Sequence, residues 1–192
     1  MNAKEALNLL IDGNNRFASS NHFFPNLIEE RRLELRSGQN PFAVIISCSD
    51  SRVPAEIVFD RGLGDLFVIR NAGNIISSSV IGSVEYAVSY LNVSLILVLG
   101  HDDCGAINAT LDNASESFFV RGIQEKILPA IEEAKNQNGD LVYNSVINNI
   151  KNQVNKLKTA GNIIPQMLNN EEIQILGGYY CLKSGKIDFF NI

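Results

Sequence analysis

The sequence has only three cysteines in 192 residues, odd in number and irregular in spacing, which excludes a disulfide framework. Histidine is scarcer still, with two, and tryptophan is missing altogether. No apolar run approaches the ~20 residues a membrane helix needs, and no basic segment precedes an apolar signal core. Positive charge is in deficit: 16 Lys and Arg stand against 21 Asp and Glu, for a net charge of −5 and a pI near 5.1. Nucleic acid is therefore not an expected partner, because phosphate tracking relies on clustered Lys and Arg. What is abundant is apolar surface. At 45% hydrophobic residues the chain can bury a core without staples, so 1–192 reads as one domain. Reduced cysteines and the missing membrane and export signals predict a cytoplasmic protein.

The pattern alternates helix and strand without linker or repeat. Ala6, Leu9, Leu10 and Phe17 are close to helical spacing over 3–18, and 27–35 suggests a second helix. A strand follows at 42–47, a short helix near Ala55, a strand at 66–69, a helix at 79–91 and a strand at 94–99. This βαβαβ progression predicts an α/β fold around a mostly parallel sheet flanked by helices. Helical patterns over 118–136 and 142–159 look like scaffold, the second rich in Asn and Lys at polar positions. The tail alternates through 173–181, turns at 183–186 and resumes over 187–190, an edge hairpin at the carboxyl end.

Cys48 ends the first central apolar run, and His101 and Cys104 follow the run 95–99. Each alone is unremarkable, since an isolated buried Cys is usually a small core residue. Together they place two sets of soft or borderline donors at the carboxyl ends of two strands, where open α/β sheets bind ligands. A Cys-Cys-His set leaves a tetrahedral Zn²⁺ one open position, the arrangement of a catalytic site. Asp50 and Arg52 lie two and four residues past Cys48; by themselves they read equally as a capping acid and a solvated ion pair. Arg52, Arg61 and Arg70 sit near this cluster in sequence, so their field should favour a small anion. The third cysteine, Cys181, reads as inert and His22 as a surface residue.

These residues resemble the β-class carbonic anhydrases, and the resemblance spans nearly the whole chain. It rests on Cys48-Ser49-Asp50-Ser51-Arg52-Val53, on Gly100-His101-Asp102-Asp103-Cys104-Gly105, on the run from Asp65 to Asn74, and on Glu85-Tyr86-Ala87. The resemblance implies one zinc per subunit held by Cys48, His101 and Cys104, with Asp50 and Arg52 orienting the water or hydroxide on the metal. The implied reaction is reversible hydration of carbon dioxide to bicarbonate. Gln39, Val53, Phe67, Tyr86 and Gly105 match the cleft-lining positions of the plant-type subgroup, Gln39 and Tyr86 approaching from a neighbouring subunit. The amino-terminal helices are then expected to reach across to a partner in a homodimer or homotetramer. A bacterial subgroup regulated by bicarbonate carries tryptophan three residues before its first zinc cysteine; here that residue is Ile45, so that regulatory site is absent in its usual form.

One departure concerns proton export, because plant-type members often place histidine where this chain has Tyr90, a poor shuttle at neutral pH with a phenol pKa near 10. Two other functions fit the same donors. A zinc site of this kind could hydrolyse carbonyl sulfide or carbon disulfide, and a non-catalytic zinc module would bind a partner but would normally use four protein ligands.

Overall fold

The computed structural model describes residues 1–113 and 117–192. Helices α1 (Ala3–Ala18) and α2 (Glu29–Glu34) lead into strand β1 (Ala43–Cys48), and the chain continues through α3 (Ala55–Val58), β2 (Leu66–Asn71), α4 (Ser78–Tyr90) and β3 (Leu95–His101). Then come α5 (Gly105–Leu111), α6 (Phe118–Ala134), α7 (Leu141–Lys158), α8 (Ile163–Asn169), β4 (Gln174–Tyr180) and β5 (Ile187–Phe190). The sheet runs β2-β1-β3-β4-β5, parallel throughout except for the antiparallel β4–β5 pair. The α/β reading holds, and the tail forms the expected hairpin. Its first arm, however, joins the parallel sheet beside β3, and only β5 is an edge. Two short helices were not legible: α5 begins directly after Cys104, and α8 spans barely two turns.

β1 and β3 are buried along their whole lengths because both sheet faces are covered. Alternation sends Val44, Ile46, Cys48, Ile96 and Val98 into the core beneath α4, α6 and α7. Ala43, Ile45, Leu95, Leu97 and Leu99 point the other way, toward α1 and α3. The inner strands therefore read as continuous apolar runs. α1 starts on a capping box in which Asn2 and Glu5 satisfy each other's backbone amides at 2.9 and 3.0 Å. Among the described residues no helix is long and apolar enough to cross a membrane.

Between α1 and β1 lies an arm with little core of its own. α2 has no buried residue, and Phe23, Leu27, Ile28 and Leu33 are all exposed. One buried acid ties this arm down. Asp60, fully buried with φ of +48°, accepts from the amides of Phe23 and Phe24 at 3.2 and 2.8 Å and from Arg16 Nε at 2.6 Å. Burial alone would raise its pKa, but the Arg16 bond and the two amides outweigh it, and the pKa is lowered. A depressed carboxylate stabilises the fold above its unfolded pKa of about 3.9 and loses that contribution as the pH falls through the folded value. Asp60→Asn should thus cost roughly 3 kcal/mol at neutral pH. In urea denaturation at a series of pH values, the gap between wild type and variant should narrow below about pH 4; a gap independent of pH down to strong acid would refute the ionic account.

Candidate metal centre

With β2 on one side of β1 and β3 on the other, the chain reverses its winding direction between β1 and β3. Such a switch point opens a crevice at the carboxyl ends of the two strands. Register pairs Ser47 with Leu99, so Cys48, the last residue of β1, lies beside the Gly100-His101 end of β3. Cys104 is the N-cap of α5, three residues on. The ligand atoms of Cys48, His101 and Cys104 all lie within 4.8 Å of one another, and all three residues are buried. Among the described residues they are the only His, Cys, Asp and Glu group of this kind.

The protonation pattern suits a cation. His101 Nδ1 lies 2.8 Å from the Asp102 carbonyl, which can only accept, so the neutral ring carries its hydrogen there. Its Nε2 lone pair then faces the two sulfurs, and this atom is buried without any hydrogen-bond partner. A histidine whose far nitrogen is fixed by a carbonyl is the usual support of a metal ligand. Burial pushes His101 down in pKa, but the adjacent Cys48 sulfur, the Asp102 carbonyl and Asp50 outweigh it. Cys48 is held well below an ordinary thiol, first by the Cys104 side chain and then by His101 and the Gly73 and Asp50 amides, against the cost of burial. Cys104 is pushed up by the neighbouring Cys48 side chain and by burial. Two buried sulfurs beside an unpartnered imidazole nitrogen fit a divalent, thiophilic metal: the donor set is that of zinc.

Asp50 lies above this cluster, Oδ2 3.9 Å from His101 Nε2. Arg52 grips it with two parallel bonds, Nε to Oδ1 at 2.9 Å and Nη2 to Oδ2 at 2.8 Å, and the Arg52 amide adds a third at 2.9 Å. The Arg52 side chain holds the Asp50 carboxyl well below the usual carboxylate range. Arg52 is itself anchored on Asp103 through Nη1 to Oδ2 at 3.2 Å and Nη2 to the main-chain carbonyl at 3.1 Å. From β2, Arg70 spans the same turn, donating to the carbonyls of Cys48 at 3.1 Å and Asp50 at 2.7 Å.

Other sequence-predicted positions divide into two groups. Val53 is buried beneath the Cys48–Arg52 turn, and Gly105 follows Cys104 with open space where a side chain would stand. Gln39, Phe67, Tyr86 and Tyr90 lie elsewhere. Phe67 pairs with Val44, four residues before Cys48, which puts it about 13 Å from that end of the sheet. Its ring is 6.2 Å from that of Tyr86, which stacks on the exposed Tyr90 at 5.4 Å. Gln39 is exposed and precedes β1, at the opposite end from Cys48. Arg61 requires a correction: it was expected to add to the field at the cluster, but it lines a cavity with Pro41 and Phe42 at the amino end of β1. Adjacency in sequence misled because the 62–65 turn carries the chain back down the sheet to begin β2.

Sequence reading also missed a support on α7. Its polar positions looked like solvated scaffold, yet Asn149 and Gln153 are 1% and 3% exposed. Asn149 Nδ2 donates to the Gly73 carbonyl at 3.0 Å, Gln153 Nε2 to Asn149 Oδ1 at 3.1 Å, and the Ile76 amide to Gln153 Oε1 at 2.7 Å. This ladder fixes the turn whose Gly73 amide faces Cys48. Two amide residues at i and i+4 on the apolar side of the helix were the only signal available.

Comparison with known proteins agrees with this geometry. The carbonic anhydrase family profile matches residues 43–187. A carbonic anhydrase of Mycolicibacterium smegmatis is 41% identical over 191 residues, covering 97% of this chain and 93% of that protein. Carbonic anhydrase 2 of Mycobacterium tuberculosis is 39% identical over 189 residues, covering 96% and 91%. Among solved structures, the β-carbonic anhydrase CcaA superposes with a TM-score of 0.75 at 28% identity, over 97% of this chain and 88% of that one.

Proposed function

Because the chain belongs to the carbonic anhydrase family, in its β class, we propose that it catalyses the reversible hydration of carbon dioxide to bicarbonate and a proton at the Cys48–His101–Cys104 centre. One observation carries this reading. The buried, unpartnered His101 Nε2 faces the sulfurs of Cys48 and Cys104, the three ligand atoms lying within 4.8 Å of one another, while the nearest further donor, Asp50, is held away by Arg52. Three protein donors with a restrained fourth suit an open, reactive site better than a closed structural one. Zinc bound by these three residues would lower the pKa of a coordinated water toward roughly 7 and supply the attacking oxygen near neutral pH.

The chain's own side chains do the rest. Asp50 accepts the hydrogen of the attacking oxygen and aims its lone pair at the substrate carbon. Arg52 keeps Asp50 ionised and prevents its rotation onto the metal. His101 is fixed in the tautomer that presents Nε2. Gly105 borders the space where a linear molecule would lie, whereas Val53 supports the Cys48–Arg52 turn from the core. Gln39, Phe67 and Tyr86 would complete the cleft of a second copy, because no strand brings Gln39 to the Cys48 of its own chain. Tyr90, stacked on Tyr86, would stand at the exit and pass protons poorly, leaving export to buffer and water. The exposed arm apolars Phe23, Leu27, Ile28 and Leu33 support a homodimer or a larger assembly, with the arm laid on a partner. A centre that depends on reduced cysteines suits the cytoplasm.

Stopped-flow carbon dioxide hydration on metal-quantified protein, from about pH 6.5 to 9, tests the reading. Two thiolates neutralise the cation more than imidazoles do, so activity should rise through the alkaline limb and follow zinc content. A profile already flat below neutrality would refute the charge argument. No hydration by fully zinc-loaded oligomer would refute the function, with carbonyl sulfide the next substrate to try.

A further inference from the structure

A second charged site lies at the far end of the sheet. Phe42 and Cys48 are separated by six residues of extended chain, about 20 Å, so a cavity at the amino end of β1 is remote from the metal centre of the same chain. That cavity has a volume of about 310 Å³. Arg61 reaches into it, together with Asn26, Asn40, Asn92, Leu9 and Phe42.

Arg61 is a cation without a counter-charge. Among the described residues no carboxylate comes within ion-pairing distance of it, whereas Arg16, Arg31 and Arg52 each have one. Its Nη2 donates to the Leu9 carbonyl, its Nε is buried without a partner, and its Nη1 has no hydrogen bond. The guanidinium lies over the Phe42 ring, 5.4 Å from the centroid, which leaves its edge toward the cavity. Burial is the main cause that pushes its pKa down, with the nearby Arg16 adding to it.

Of the three acids whose charge reaches Arg61, Asp12 is exposed on α1 and beyond ion-pairing distance, and the other two are engaged elsewhere. Asp60 is bound by Arg16 and two amides. Asp65, the one carboxylate in the lining, accepts from the Gly62 amide at 3.0 Å and from Asn26 at 3.0 and 3.2 Å, and faces Arg31 at 3.8 Å. An uncompensated, partly buried charge is costly, and a small anion in the cavity would relieve it. Asn40 and Asn92 make no side-chain hydrogen bonds among the described residues, so their amides are available to the same ligand. Leu9 and Phe42 offer an apolar wall to its body.

We propose that Arg61 and the asparagines around it form a second, non-catalytic binding site for a small organic carboxylate, its charged end on the guanidinium and its apolar end against Leu9 and Phe42. The site joins α1, the arm and the start of β1, so an occupied cavity ties these three segments together. It does not depend on the metal centre being a carbonic anhydrase site.

The test uses zinc-loaded protein titrated with acetate and with benzoate at constant ionic strength, followed by ¹⁵N NMR of the Arg61 Nε–H and the backbone amides and by thermal melting. Saturable shifts at Arg61, Asn40 and Asn92 are expected, with benzoate binding more tightly than acetate. Arg61→Gln should weaken that binding about tenfold or more, and Arg61→Lys by less. Carbon dioxide hydration without carboxylate should stay unchanged in Arg61→Gln. Shifts confined to the neighbours of Cys48 and His101, equal in wild type and Arg61→Gln, would overturn the proposal. So would an Arg61 resonance that stays silent throughout the titration, the result expected if a second copy of the chain fills the cavity.

Discussion

Asp50→Asn is expected to retain a full complement of zinc while kcat for carbon dioxide hydration falls by roughly 10²–10⁴. The substitution keeps the shape of the side chain and removes its charge. Two consequences follow from the geometry. Arg52 keeps one acceptor and loses the other of its paired bonds at 2.9 and 2.8 Å, which loosens the link from Asp50 through Arg52 to Asp103. The amide can also present a hydrogen where a carboxylate only accepts, so the attacking oxygen is no longer aimed. An interaction made in the transition state rather than with bound substrate should appear in kcat and kcat/KM together. Steady-state kinetics beside metal analysis separates the possibilities. Turnover near that of the wild type would remove Asp50 from the mechanism, and zinc lost in proportion to activity would make it a support of the metal instead.

Cys48→Ala should have the larger effect on composition: zinc and activity disappear together, with metal affinity lowered by at least about 100-fold. The expectation rests on the cluster in which the Cys48 and Cys104 sulfurs and the His101 ring nitrogen lie within 4.8 Å of one another. With one sulfur gone, the remaining thiol is buried among apolar neighbours and His101 Nε2 keeps only one partner to share a cation with. The fold should survive, because Cys48 is a small residue at the end of a strand whose apolar contacts come mainly from Val44 and Ile46. Metal content by elemental analysis, a chelator competition and circular dichroism suffice. A folded variant with stoichiometric zinc would show that the centre is not built on Cys48.

The alternation of apolar runs and helical spacing gave the sheet and its main helices, because burial on both faces writes a continuous hydrophobic signature for β1 and β3. The ligand trio was legible for a related reason. Cys48 and His101 each end such a run, and strand ends are where an α/β sheet leaves room for chemistry. Asp50 and Arg52 were legible as partners because a turn places positions i and i+2 within reach of each other.

Other features depend on contacts between residues remote in sequence. Asn149 and Gln153 could not be distinguished from solvated polar positions until α7 was packed over the Gly73 turn. Arg70 became a clamp on the Cys48 and Asp50 carbonyls only through the β1–β2 register. Arg61 is the sharpest case, nine residues after Arg52 yet at the other end of the sheet, because α3 and the following turn reverse the chain. The sequence by itself determined the residue types, their spacing and hence the candidate donor set, the fold class and the family. Only the tertiary structure decided which charges meet, which amides are buried and that Arg61 has no carboxylate at ion-pairing distance among the described residues, since these depend on the distances that folding closes between distant segments.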